Sequence, residues 1–166
     1  MPRPAAMSFR TLLLGMGNPI LRDDAIGIRL ALIFQQHLAE VPGLEVIADC
    51  SLGGLNLLHL LEGFDRLIVI DSIQTREGTP GVWHQFSALK LRPTRNLGSI
   101  HDANFSTVLE LGRRLGMNLP EDGEIHIFAV EILDNRTFSE CMSAPMEGCL
   151  PRLAEQILAR IREILA

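Results

Sequence analysis

Two adjacent carboxylates, Asp23 and Asp24, follow a glycine-containing turn near the start of the chain. The apolar run at 12–14 stops at Gly15-Met16-Gly17-Asn18, and apolar residues at helical spacing begin directly after the two acids. The pattern predicts a strand, a turn that carries both acids, and a helix. In an open α/β sheet, ligands bind in the crevice beyond the carboxyl ends of the strands. The two acids are therefore candidates for a functional site.

Three more polar residues stand at corresponding places. Asp49 follows the predicted strand at 44–48, Asp71 ends the predicted strand at 66–71, and His101 begins a helix after a polar loop. Because the ends of parallel strands lie side by side, we expect Asp24, Asp49 and Asp71 to converge, with His101 within reach. Two carboxylates and an imidazole form an open site with nitrogen and oxygen ligands, which suits zinc or nickel.

Structural roles are the alternative for each of these residues. Asp23 or Asp24 could cap the following helix, and Asp71 could simply begin a loop. The remaining histidines are expected to be surface or core residues; they are His37, His59, His84 and His126.

The pair Gly15 and Gly17 also suggests a turn that binds a dinucleotide. The third glycine of that motif is replaced by Ile20, Pro19 stiffens the turn, and the two acids would repel phosphate. The sequence contains no nucleophile elbow, His-Glu-x-x-His motif or phosphate-binding Gly-Lys-Ser/Thr loop. The acids therefore favour a cation at this turn.

Strand and helix patterns alternate along the chain. Strands are predicted at 9–14, 44–48, 66–71 and 124–130, with a further one at 82–86 that could be an antiparallel edge. Helices are predicted from 24, from 53 and after 102, and a terminal helix with Pro151 in its first turn. This order predicts an α/β fold, a three-layer α/β/α sandwich with a mostly parallel central sheet.

Length and composition indicate one domain over 1–166, with 1–8 as a flexible N-terminal extension. The chain has 166 residues, of which 47% are hydrophobic, and a net charge of -5, which argues against nucleic-acid or anionic-membrane surfaces. Cys50, Cys141 and Cys149 lack metal or redox spacing and are expected to be reduced thiols. With no signal peptide or long apolar segment recognised, a cytoplasmic location is expected.

Three segments together resemble the maturation endopeptidases of nickel-iron hydrogenases. They are 15–27 (GMGNPILRDDAIG), 67–72 (LIVIDS) and 99–102 (SIHD), and the similarity spans most of the chain. The resemblance implies a cytoplasmic protease that removes a C-terminal peptide from the hydrogenase large-subunit precursor after nickel insertion. It also implies an α/β/α fold and a metal and catalytic site at Asp24, Asp71 and His101. The nickel would be supplied by the substrate.

Two features depart from the family pattern. The segment 49–54 (DCSLGG) replaces a tighter turn, and Asp24 stands where some members carry the longer Glu. The attacking nucleophile and the oligomeric state are left open, and the irregular segments 92–98 and 133–148 are candidates for selecting among hydrogenases. Two alternatives are a non-enzymatic, nickel-dependent binding checkpoint for the precursor and a nucleotide-binding protein or metal-dependent hydrolase on a related sandwich.

Overall fold

The protein folds around one five-stranded sheet. A computed structural model describes residues 9–50, 55–88 and 100–166, and their side chains except those of residues 55 and 100–104. The strands are β1 (Thr11–Met16), β2 (Leu44–Cys50), β3 (Arg66–Ile73), β4 (Trp83–Ser87) and β5 (Ile125–Glu131). Their order is β2-β1-β3-β5-β4, and every pair is parallel except β4 with β5. The predicted antiparallel edge strand is confirmed.

Helices cover both faces of the sheet. They are α1 (Ile26–His37), α2 (Leu55–Leu61), α3 (Ile100–Arg114) and α4 (Ala144–Leu165). One buried cluster joins apolar side chains of α1 and α4 to one face, and a second cluster joins those of α2 and α3 to the other. The predicted three-layer α/β/α sandwich is confirmed.

Strand β3 lies at the centre of the sheet and alternates between the two cores. Ile68 and Ile70 belong to the cluster with α1 and α4, whereas Leu67 and Val69 belong to the cluster with α2 and α3. Because successive side chains point to opposite faces, Asp71 faces the α2 and α3 layer and Ser72 faces α1. This alternation decides which site residues can meet.

The glycines of the first turn allow α1 to approach the sheet closely. A Cβ atom at Gly27 would collide with the backbone carbonyl oxygens of Met16 and Ile70. Gly17 has a φ of +144°, and a Cβ atom there would collide with the carbonyl oxygen of Asp24. The glycine pattern is therefore explained by packing and backbone conformation, without a bound phosphate.

The terminal helix differs from the prediction. It begins at Ala144, so Pro145 lies in its first turn and Pro151 lies in its interior. The apolar stripe through Met146, Leu150 and Leu153 continues past the proline and is buried, and this packing compensates for the backbone hydrogen bond that a proline removes.

The remaining expectations concern the cysteines, the other histidines and the chain segments outside the sheet and helices. The thiols Cys50, Cys141 and Cys149 form no disulfide in the described part of the chain. His126 is half-buried on β5, and its pKa is lowered first by burial and then by the Arg66 charge. The segments 1–8 and 92–98 lie outside the described residues. None of the described helices has the length and apolarity needed to cross a membrane.

Candidate functional site

Asp24 is held between the carboxyl ends of β1 and β3. It lies in a 3-10 turn, Arg22–Ala25, that precedes α1. The backbone N–H of Asn18 donates to its Oδ2 atom at 2.8 Å, and the Ser72 hydroxyl donates to its Oδ1 atom. The side chain is only partly buried. The carboxylate is therefore fixed in orientation by two donors and still open to a ligand.

Asp71 precedes that serine on β3 and is buried, with 6% of its surface exposed. Its Oδ1 atom accepts the backbone N–H of Ser72 at 2.8 Å. Ser72 thus contacts both acids, Asp71 through its backbone and Asp24 through its hydroxyl. The structure brings the end of β3 that carries Asp71 to Asp24, as the sequence predicts.

His101 lies in the first turn of α3, whose backbone begins at Ile100. Its side chain is outside the described part of the structure. Helix α3 packs on the face of the sheet toward which Asp71 points, because Phe105 and Leu109 share a buried cluster with Val69. The backbone therefore places the start of α3 in the layer that Asp71 faces.

Asp49 is not joined to this group. It is the penultimate residue of β2 and is exposed. Its side chain makes no hydrogen bond or ion pair with another described residue. The expected convergence is therefore seen for Asp24 and the strand end that carries Asp71, which Ser72 joins, and Asp49 lies outside this hydrogen-bonded group.

Asp23 has a different role from its neighbour. It is fully buried at 0% exposure, and its carboxylate accepts the Ser143 N–H at 2.6 Å, the Ser143 hydroxyl at 2.8 Å and the Asp134 N–H at 2.9 Å. Neither acid caps α1, whose N-cap is Ala25 with no side-chain hydrogen bond. The capping alternative is therefore not seen, and Asp23 has another structural role: it attaches the segment between β5 and α4 to the first turn.

That segment, residues 132–143, also pairs with the first turn through its backbone. Arg22 N donates to Ser139 O at 3.1 Å, and Ser139 N donates to Ile20 O at 2.9 Å. Within the segment, hydrogen bonds from Thr137 and from the Arg136 N–H lower the pKa of Asp134 to about 2. Residues 132–143 are therefore attached to the turn that carries Asp23 and Asp24, and we call them the docking loop because they dock on that turn.

Ser72 is the site residue for which sequence reasoning assigned no role. The signal was present, because a serine follows Asp71 in a continuous apolar strand and alternation turns it toward α1. Only the fold shows that the turn before α1 brings Asp24 to that hydroxyl.

The donor set fits a metal in part. Each carboxylate oxygen of Asp24 accepts one hydrogen bond in the structure and retains lone-pair capacity. Among the described side chains, no group of three His, Cys, Asp or Glu residues is arranged to hold a metal. A third ligand would have to come from outside that set. The side chain of His101 is outside it.

Comparison with known proteins gives a consistent result. A family model described as "Hydrogenase maturation protease" matches residues 28–160. The hydrogenase expression/formation protein HupD of Rhizobium leguminosarum bv. viciae is 28% identical over 97% of this chain and 77% of its own length. The hydrogenase 2 maturation protease of Escherichia coli is 36% identical over 43% of each chain.

Solved structures show the same fold. The hydrogenase maturating endopeptidase HybD from E. coli superposes with a TM-score of 0.69 at 24% identity, covering 93% of both chains. The maturation protease HycI from Thermococcus kodakarensis KOD1 has a TM-score of 0.67 at 21% identity, over 95% of this chain and 92% of that one. With the family match over 28–160, these findings establish that the chain belongs to the hydrogenase maturation protease family and is a peptidase.

Proposed function

We propose that this peptidase removes the C-terminal peptide from the nickel-loaded precursor of a nickel-iron hydrogenase large subunit, in the cytoplasm. Asp24, Asp71 and His101 are the residues proposed to meet the substrate-borne nickel. The observation that carries the proposal is the Ser72 contact, which joins the Asp24 carboxylate to the strand segment that bears Asp71.

The surroundings of Asp24 support a ligand role. A carboxylate that serves only the fold is expected to be buried with its oxygens saturated, as Asp23 is. Asp24 is instead partly exposed, and its two hydrogen bonds fix the carboxylate plane. Fixed orientation of a ligand by neighbouring donors is typical of metal sites.

The chemistry needs few protein groups. Nickel bound to the precursor would act as a Lewis acid that polarises the scissile carbonyl or a water molecule. Asn18 and Ser72 hold the Asp24 carboxylate in place, and the buried position of Asp71 limits the water around it. The attacking group is not assigned.

Exposed apolar side chains on the first turn and the docking loop support a protein substrate. Phe138 of the docking loop is 78% exposed, and Ile20 of the first turn is 47% exposed. The two segments are joined by the hydrogen bond from Ser139 to Ile20. Large apolar side chains exposed together typically mark a protein-binding surface.

Cytoplasmic action agrees with three cysteines that form no disulfide in the described chain.

Intact-mass spectrometry tests the proposal. The protein is incubated with a nickel-loaded hydrogenase large-subunit precursor from the same cell, and in parallel with the nickel-free precursor. Loss of a C-terminal peptide from the loaded form alone is the expected result. Cleavage of both forms would contradict the nickel requirement, and a stable complex with no cleavage would indicate a binding checkpoint.

A further inference from the structure

An open cleft lies between the end of β3 and the docking loop. Residues 74–76 form one wall and residues 133–136 the other, and the cleft has a volume of about 390 Å³. The Gln74 side-chain amide donates to the Leu133 carbonyl at 2.8 Å and so ties the walls together. A volume of several hundred Å³ is typical of sites that hold a small molecule or a short peptide segment.

The cleft carries two positive charges. Arg76 and Arg136 line it, both are exposed, and neither forms an ion pair with another described residue. The one acid in the lining, Asp134, is already engaged: it accepts the Thr137 hydroxyl at 2.5 Å and the Arg136 N–H at 2.9 Å, and it lies 3.6 Å from Arg22.

Glu131, a buried acid that contacts the cleft residue Thr75, is also engaged. It is 3% exposed and accepts both the N–H of Thr75 at 3.2 Å and the hydroxyl of Thr75 at 2.8 Å. Its Oε1 atom also lies 3.9 Å from the imidazole of His84. Asp134 and Glu131 therefore have partners within the protein, whereas Arg76 and Arg136 have no ion-pair partner among the described residues and can receive an anion.

The cleft adjoins the site. Gln74, at its edge, follows Ser72 by two residues, and a strand rises about 3.3 Å per residue, so the cleft opens roughly 7 Å along the chain from the Asp24 contact. A peptide whose scissile bond lies at Asp24 and Asp71 would reach the cleft within two or three extended residues.

From this arrangement we infer that the cleft binds a carboxylate of the substrate peptide, with Arg76 and Arg136 as its ligands. The inference rests on the proposed function, because it places the peptide next to the bond that is cut. A guanidinium pair is well suited to carboxylates, since its N–H groups match the two oxygens. The carboxylate is either an Asp or Glu side chain of the tail or its terminal carboxyl group.

Binding of short peptides tests this without requiring cleavage. The probes are four fluorescein-labelled, alanine-based octapeptides that carry either two Glu or two Gln residues, each with a free or an amidated C-terminus. We expect fluorescence anisotropy to show binding of the Glu peptide with a free C-terminus at least about tenfold tighter than the amidated Gln peptide, and weaker as salt rises. If the amidated Glu peptide keeps the tighter binding, the cleft recognises a side-chain carboxylate. If the Gln peptide with a free C-terminus keeps it, the cleft recognises the terminal carboxyl group.

Variants assign the binding to the cleft. Arg76→Gln with Arg136→Gln should weaken binding of the Glu peptide about tenfold. The matched control is Arg162→Gln, an exposed arginine of α4 with no ion pair among the described residues, and it should bind as wild type. Equal affinity for all four peptides, no saturable binding, or an equal loss in the control overturns the inference. Cleavage of the nickel-loaded precursor is measured separately, so failure of the cleft and failure of the proposed function are distinguishable.

Discussion

Asp23 and Asp24 are neighbours of identical chemistry that the fold uses in opposite ways. Asp23 is fully buried and accepts three hydrogen bonds from Asp134 and Ser143 of the docking loop. Asp24 is partly exposed and accepts one bond from Asn18 and one from Ser72. One carboxylate attaches the docking loop to the first turn, and the other is the one we propose to meet the substrate-borne nickel. Their surroundings, and not their residue type, separate structure from chemistry.

The largest effect is expected on the chemical side of this comparison. Replacing Asp71 with Asn, or His101 with Ala, should lower processing of nickel-loaded precursor at least about a hundredfold, because each removes a proposed ligand. The far-ultraviolet circular dichroism should be unchanged. A folded variant that cleaves at the wild-type rate would remove that residue from the site.

The structural side of the comparison is tested by Asp23→Asn. The amide keeps one acceptor but presents an NH₂ group to buried donors, so we expect a loss of about 2–4 kcal/mol in the free energy of unfolding. This corresponds to a fall in Tm of about 5–15 °C, measurable by calorimetry. At temperatures below the unfolding transition, where the variant is folded, its processing rate should stay within a few fold of wild type. Wild-type stability in this variant would show that the docking loop does not depend on Asp23.

The two serine partners form a matched pair. Ser72→Ala removes the hydroxyl that orients Asp24 and should slow processing about tenfold, whereas Ser143→Ala removes one bond to Asp23 and should cost about 1 kcal/mol of stability with little effect on rate. Rate and Tm are measured for both variants. Ser72 is a positioning residue, so Ser72→Thr, which keeps the hydroxyl, should recover part of the rate. Equal effects of the two alanine variants on rate would abolish the distinction.

The smallest effect is a pH dependence in the docking loop. The pKa of Asp134 is lowered to about 2 by hydrogen bonds from Thr137 and Arg136. A carboxyl group with a depressed folded pKa stabilises the native state above its unfolded pKa, near 4, and loses that contribution as pH falls toward 2. Thermal unfolding between pH 4 and 2 should therefore be less pH-dependent in Asp134→Asn than in wild type. Parallel Tm profiles would contradict this role.

The fold was predictable because its strands carry strong local signals. The run at 67–70 is apolar and mostly β-branched, and the sheet buries it on both faces. The predicted start of the terminal helix at Pro151 was wrong. A proline is a local signal for a helix start, whereas burial of Met146 and Leu150 extends α4 to residues before the proline.

The site was predictable only in part. Topology brings the ends of β1 and β3 together, so the approach of Asp24 to the strand of Asp71 follows from the strand order. The assignment of Asp23 depends on Ser143, which lies 120 residues away along the chain, and no local pattern reveals such a contact. Asp49 shows the limit of the topological argument, since its place near a strand end leaves it exposed.

The most direct test of the division between the two acids is processing of the nickel-loaded precursor by Asp24→Asn and Asp23→Asn at equal folded concentration, followed by intact-mass spectrometry. Asp24→Glu serves as the control that keeps the charge. We predict that Asp24→Asn slows peptide release about a hundredfold, that Asp24→Glu retains part of the activity, and that Asp23→Asn cleaves at a rate within a few fold of wild type. Wild-type cleavage by Asp24→Asn would contradict the assignment of Asp24 to the chemistry.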